Sequence, residues 1–123
     1  MKFKSSQVRG KGRGRLLGFP TINLEIPKNL DLLDGIYAVR VYIDGSSFIG
    51  ALHSGPIPVF DETEITLEVF LIDSDPKNLP EQIPELEIEI IKYLRPVMNF
   101  DNPEDLAKQM GKDVEDTKKI LNS

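Results

Sequence analysis

The sequence has no cysteine and no tryptophan, and it has one histidine, His53. The absence of cysteine excludes a disulfide framework, a thiolate nucleophile and a zinc site built on cysteine. No second histidine is present to complete a metal site either. We therefore expect His53, at the end of a predicted strand, to be a structural residue rather than a base or a metal ligand.

Long apolar runs are also absent. No stretch approaches the ~20 residues that a membrane-spanning helix needs, and the residues after Met1 are polar and charged rather than the apolar core of a signal peptide. We therefore expect a soluble, cytoplasmic protein with no membrane partner.

The length of 123 residues suits one hydrophobic core. We predict a single domain over residues 1–123, with a barrel over about 1–100 and a helical segment over about 102–122. Because Met1 immediately precedes the first predicted strand, we expect a free-standing domain, and we expect it to be a monomer.

Acidic residues are missing from the N-terminal part of the chain. Residues 1–24 contain six lysines and arginines and no acid, whereas the remaining residues hold nine cations and all 20 acids. A polyanionic ligand should therefore bind the N-terminal part. The acidic remainder argues against a nucleic-acid partner, because binding a long polyanion needs phosphate contacts spread over a surface.

Glycines and cations alternate in one short segment after the first predicted strand. Glycine lets backbone N–H groups approach an anion closely, and arginine adds charge-assisted hydrogen bonds to phosphate oxygens. The segment fits neither the Walker A pattern nor the G-x-G-x-x-G pattern of dinucleotide sites. It nonetheless predicts a loop that binds phosphates, and its candidate residues are Gly10, Gly12, Arg13, Gly14 and Arg15.

Thr21 and Asn23 follow this loop at the start of an extended segment. Pro20 stiffens the entry to the segment, and a spacing of two residues places both side chains on one face of a strand. A hydroxyl and a carboxamide oxygen are hard ligands that suit Mg²⁺, which takes the rest of its shell from water and substrate phosphates. Thr21 and Asn23 are therefore candidate ligands of Mg²⁺.

Alternation of apolar and polar residues predicts six antiparallel strands, and the segment Asp44-Gly45-Ser46 is typical of a hairpin turn between two of them. The predicted strands lie within residues 2–8, 22–26, 35–44, 47–53, 64–73 and 86–94. So many strands in a small domain indicate a mainly β fold, a closed barrel with a helix packed on it.

A helix is predicted only at the end of the chain. Asn102 suits the N-cap, and Pro103 suits the first helical position. Gly111 is a poor residue for a helix interior, so we expect either a kink or a break there, with Asp113 capping a second short helix.

Three separated motifs occur in an order that is typical of one enzyme family. The first is G-x-G-R-G-R-x-L-G-F-P-T-x-N-L over residues 10–24, and the second is an apolar strand that carries Glu68. The third is Tyr93-Leu94-Arg95-Pro96-Val97-Met98-Asn99-Phe100, close to Y-L-R-P-x-x-N-F. Together they resemble the riboflavin kinases, whether free-standing or as the C-terminal domain of bifunctional riboflavin kinase/FAD synthetases. The resemblance covers nearly the whole chain and implies a six-stranded Greek-key barrel.

The resemblance also implies an activity, the phosphorylation of riboflavin to FMN with ATP and Mg²⁺. The glycine- and arginine-rich loop would cover the ATP phosphates, and Thr21 and Asn23 would hold the Mg²⁺–nucleotide. Glu68 would be the general base that takes the proton of the terminal ribityl hydroxyl. The residues that would lie against the flavin are Arg95, Met98 and Phe100.

Some residues depart from the family pattern, and they keep two alternatives open. His53–Phe60 and Leu79–Gln82 differ from the usual sequence, and Phe70 stands where the family has a histidine. The first alternative is a catalytically weak relative that binds flavin or nucleotide as a sensor. The second is a small barrel whose basic arm binds RNA, which ranks last because only Phe3 and Phe19 are close enough to the arm to stack on bases.

Overall fold

The structure, a computed structural model, describes residues 1–8, 21–56, 65–72, 83–98 and 100–121. The loop predicted to bind phosphates, at residues 10–15, lies outside the described residues. Residues 57–60 and 79–82, where the sequence departs from the family pattern, also lie outside them.

One antiparallel sheet dominates the fold, which confirms the mainly β prediction. Its strands are β1 (Lys2–Ser5), β2 (Ile22–Asn23), β3 (Gly35–Ile43), β4 (Ser46–Gly55), β5 (Thr66–Ile72) and β6 (Leu86–Arg95). They are ordered β1-β6-β3-β4-β5-β2 across the sheet. The consecutive strands β3, β4 and β5 lie side by side, and β6 returns to pair with β3, which is the Greek-key arrangement.

The β3–β4 hairpin turns on the two residues that the sequence indicates. Asp44 and Gly45 have φ values of 53° and 81°, and a positive φ at both central residues is the type I′ geometry that matches the twist of a hairpin. The register of β3 and β4 is therefore fixed at the turn and runs to the pair Gly35↔Ser54.

The sheet curls until its two edge strands meet just beyond their ends. Gln7 forms an isolated antiparallel bridge with Leu24. Val8 N donates to Asn23 O at 2.8 Å, and Glu25 N donates to Ser6 O at 2.9 Å. The sheet is thus joined edge to edge beside β2, as the barrel prediction requires.

The core fills the inside of this curled sheet. Alternate residues of the strands point inward, and Val39, Leu52, Val69 and Ile88 have no exposed surface. Since Leu67 and Val69 are both buried in this core, the residue between them faces the outside of the barrel.

One helix, α1 (Pro103–Leu121), follows the sheet and packs on β3 and β4. Asn102 is its N-cap, as predicted, because Asn102 Oδ1 accepts a hydrogen bond from Asp105 N at 2.9 Å. Among the residues that the structure describes, no helix is long and apolar enough to cross a bilayer, and this includes α1.

Of the two alternatives expected at Gly111, the break is wrong, since α1 is continuous through this residue. Asp113 is not a cap but a buried residue inside the helix, with 4% of its surface exposed. Thr117 Oγ1 donates to the Asp113 carbonyl at 2.8 Å, and the Asp113 carboxylate is bound by a side chain of the barrel. The pair with Arg95 is a tertiary contact, and such contacts override the helix propensity that glycine costs, about 1 kcal/mol.

Candidate functional site

A row of residues crosses the sheet at one level and contains three of the six predicted site residues that the structure describes. Asn23 pairs with Glu68, and Glu68 pairs with His53. His53 pairs with Ile36, and Ile36 pairs with Arg95. We call these five residues the site row.

The site row lies on the outer face of the barrel. Residues directly opposite each other in an antiparallel sheet share a face, and Glu68 faces outward because its two neighbours are in the core. Asn23, Glu68 and His53 are half-buried, whereas Ile36 is buried on the face where α1 packs on β3 and β4. The row is therefore partly accessible on β2, β5 and β4 and covered toward β6.

Asn23 and Glu68 bring a carboxamide and a carboxylate together by direct cross-strand pairing. Thr21 precedes β2 by one residue, and strand alternation places it on the face of Asn23. These are hard oxygen donors, the kind that Mg²⁺ prefers. Among the residues that the structure describes, no group of three or more histidine, cysteine or acidic side chains could hold a metal alone. A cation here would need further oxygens from water or a substrate.

His53 lies beside Glu68, although the sequence predicted only a structural role for it. Its Nε2 is 2.9 Å from Gly55 O. Because a carbonyl oxygen only accepts, Nε2 carries the proton and donates it. Gly55 O also accepts from Thr66 Oγ1 at 3.1 Å, which fixes the carbonyl between two donors.

Burial lowers the pKa of His53 below its usual 6.5, and the charge of Arg95 lowers the pKa further. The carbonyls of Gly55 and Pro56 and the charge of Asp34 oppose this effect, but burial is the largest cause. His53 therefore stays neutral near pH 7 and does not add a positive charge beside Glu68.

Arg95, predicted to lie against the flavin, is bound to α1. Its Nε donates to Asp113 Oδ1 at 2.8 Å, and its Nη2 donates to Asp113 Oδ2 at 2.7 Å. The side chains are 14% and 5% exposed, so this is a buried bidentate pair. Arg95 Nη1 also donates to Pro96 O at 3.1 Å, and Gln109 Nε2 donates to Asp113 Oδ1 at 3.1 Å.

Met98 and Phe100, the other predicted flavin residues, lie in the connection between β6 and α1, residues 96–102. Met98 is exposed and Phe100 is half-buried. Met98 follows Arg95 by three residues along the chain, and Phe100 follows it by five. Their contact with a flavin stays a prediction.

Gly35 allows the start of β3 to approach the end of β6 at this same place. A Cβ atom on Gly35 would lie 2.7 Å from Arg95 O and 2.5 Å from Tyr93 Cε2. Both distances are shorter than real Cβ contacts, so only glycine fits without a shift of the backbone of β6.

Sequence reasoning missed two features of this site. The pairing of His53 with Glu68 depends on register between strands, which residue patterns within each strand do not contain. Asp113, the partner of Arg95, was predicted to cap a second short helix, because Gly111 suggested a break before it. The only signal for its true role was an acid at a helical position among apolar residues.

The chain matches the riboflavin kinase family model over residues 1–121. It therefore belongs to the riboflavin kinase family. It is 34% identical over 124 residues to the riboflavin kinase of Homo sapiens, covering 93% of this chain and 76% of the human protein.

Bacterial relatives in the comparison are larger proteins. The chain is 33% identical over 119 residues to the bifunctional riboflavin kinase/FMN adenylyltransferase of Listeria monocytogenes, covering 94% of this chain and 36% of that protein. It is 37% identical over 108 residues to the RNA-binding riboflavin kinase RibR of Bacillus subtilis, covering 87% of this chain and 45% of that protein. The chain thus spans little more than a third of the Listeria protein.

Solved structures share the fold. A crystal structure of riboflavin kinase from Trypanosoma brucei matches with a TM-score of 0.64 at 18% identity, covering 99% of this chain and 80% of that one. A Streptococcus pneumoniae protein named as a macrolide-efflux protein matches with a TM-score of 0.80 at 27% identity, covering 95% of this chain and 38% of that one.

Proposed function

We propose that this protein transfers the γ-phosphoryl group of ATP to the terminal ribityl hydroxyl of riboflavin, giving FMN and ADP. Membership of the riboflavin kinase family supports the reaction. The proposal rests on the direct pairing of Asn23 with Glu68 on the outer face. This pairing brings a candidate Mg²⁺ ligand and a carboxylate base together.

Glu68 is the proposed general base. The ribityl oxygen attacks the γ-phosphorus and forms the new O–P bond while the bond to the β,γ-bridging oxygen breaks and ADP leaves. The hydroxyl proton goes to the Glu68 carboxylate. Such a reaction needs in-line positioning and one proton acceptor more than it needs covalent chemistry, and one half-buried carboxylate in a fixed strand can supply the acceptor.

Thr21 and Asn23 are the residues proposed to hold the Mg²⁺–nucleotide. The oxygen donors at this end of the row fit a hard cation that keeps several waters and binds substrate phosphates. When bound, Mg²⁺ neutralises charge on the transferred phosphoryl group. The glycine- and arginine-rich segment at residues 10–15, immediately upstream in sequence, is the proposed phosphate cover.

The two ends of the site row suit the two ends of riboflavin. Glu68 and Arg95 are three strand positions apart, about 14 Å at ~4.8 Å per strand. Riboflavin has a flat ring system at one end and a reactive hydroxyl at the end of an extended chain. With the hydroxyl at Glu68, the ring would lie toward Arg95, Met98 and Phe100.

The test is incubation of the full chain with riboflavin, Mg²⁺ and each of the four nucleoside triphosphates, with FMN resolved by chromatography. We expect FMN with ATP and loss of the product on addition of EDTA. Absence of FMN with all four nucleotides would overturn the proposal, and quenching of riboflavin fluorescence in that case would indicate the flavin-binding sensor instead.

A further inference from the structure

The buried ion pair between Arg95 and Asp113 attaches α1 to the sheet and also encloses the chain between them. It joins the last residue of β6 to the middle of α1, so it closes the intervening chain into a loop. That loop contains the connection at residues 96–102, with the two proposed flavin contacts, and the first half of the helix. The ion pair therefore holds α1 to the end of β6, and the connection runs between these two elements.

Neighbouring hydrogen bonds make the pair rigid. Arg95 Nη1 binds the carbonyl of Pro96, the first residue of the connection, and Gln109 binds Asp113 Oδ1 from one turn earlier in α1. A bidentate pair also fixes the plane of the guanidinium, which a single hydrogen bond does not. One guanidinium thus binds both the Asp113 carboxylate and the carbonyl of Pro96.

We propose that Asp113 is a positioning residue for the flavin: by binding Arg95 it holds the connection at residues 96–102, with Met98 and Phe100, in the geometry that the ring system needs. The inference rests on the proposed function, since it assigns the flavin to this end of the site row. Asp113 itself is buried, and the proposal gives it no direct contact with the flavin. Its effect on catalysis is through Arg95 and the connection.

The inference makes a prediction that separates the two substrates. Loosening the connection should weaken riboflavin binding, whereas the nucleotide end of the row lies on β2 and β5, away from α1. A residue that only stabilised the fold would alter both substrates alike or neither. The split between the KM for riboflavin and the KM for ATP is therefore the decisive readout.

The experiment is a double-mutant cycle in the full chain with Arg95→Gln, Asp113→Asn and both together. We expect each single variant to raise the KM and Kd for riboflavin about tenfold, in line with the coupling of residues that share one network, with the KM for ATP unchanged. The double variant should be no worse than either single variant, because both act through one pair. Arg95→Lys keeps a cation beside the Asp113 carboxylate but removes the bidentate geometry of the guanidinium. This variant tests the inference if Asp113→Asn does not fold.

The control is the exposed pair of Lys4 and Glu85, 3.5 Å apart, whose replacement by Lys4→Gln should change neither constant. Three outcomes would each overturn the inference. The first is a loss of riboflavin affinity in the double variant equal to the sum of the single losses, and the second is an equal change in the KM for riboflavin and for ATP. The third is an unchanged riboflavin Kd in both Asp113→Asn and Arg95→Lys. Because Kd is read from riboflavin fluorescence, a chain that binds riboflavin but makes no FMN overturns the proposed kinase activity alone.

Discussion

The two ends of the site row differ in what their side chains are bound to. At the β2–β5 end, half-buried oxygen groups lie on a partly accessible face. At the β6 end, Arg95 is bound by both carboxylate oxygens of Asp113, a buried residue of α1. The first end places oxygen groups on an accessible face, whereas the second binds a charged group within the protein. We therefore expect substitutions at the first end to change kcat, and substitutions at the second end to change stability and riboflavin binding.

The largest expected effect is at the accessible end. Glu68→Gln keeps the shape of the side chain but removes the proton acceptor, so kcat should fall about 10²–10⁴-fold, with the melting temperature and riboflavin binding nearly unchanged. Steady-state kinetics and thermal unfolding measure the two properties. Glu85→Gln, at an exposed carboxylate near the other edge of the sheet, is the matched control. A Glu68→Gln protein with the full rate would remove Glu68 from its proposed role.

The next effect is at the covered end. Gly35→Ala places a Cβ atom against the backbone oxygen of Arg95, and relieving that overlap should cost about 2 kcal/mol of unfolding free energy. Urea denaturation measures it.

Gly45→Ala is the matched control for this substitution. Gly45 also has a positive φ, but a Cβ there would have no neighbour within 4 Å. The loss at Gly35 should be the larger of the two. If the two losses were equal, the close contact with β6 would contribute nothing, and the covered end would be less tightly packed than its geometry indicates.

The smallest effect concerns His53, which lies between the two ends. Because its pKa is lowered on folding, the unfolded chain binds a proton more readily, and stability should fall as the pH drops below about 6.5. Above that pH the contribution of His53 is complete. The ring resonances of the single histidine give its pKa directly by NMR.

His53→Gln tests the same point with a side chain that cannot titrate in this range but can donate to the Gly55 carbonyl. The substitution should flatten the pH dependence of stability between its lowered pKa and 6.5. A histidine that titrates at or above 6.5 would mean that burial does not control its charge.

Local features of the fold were predictable from the sequence because their causes are local. The hairpin at Asp44 and Gly45 follows from turn chemistry, and the start of α1 at Asn102 and Pro103 follows from capping. The short strand β2 was predicted three residues too long, since Leu24 forms only a bridge and the residues after it leave the sheet. Such ends depend on which partner strand is present.

The site was predictable only in its parts. Motifs indicated Asn23, Glu68 and Arg95 as candidate site residues, but their alignment in one row comes from the register of five strands, which no single segment encodes. Gly111 shows the opposite case. Its low helix propensity predicted a kink or a break, but the helix runs through it, and two residues later Asp113 pairs with Arg95 of the sheet.

The joining of the sheet at Gln7 and Leu24 also bears on how this protein behaves at high concentration. An open sheet presents backbone N–H and C=O groups along its outer strands, and another chain can add to them as a further strand. Here Val8 donates to Asn23, and Glu25 donates to Ser6, so at this point the outer strands bind each other. The curl that forms the barrel therefore also protects the protein against intermolecular strand addition and aggregation there.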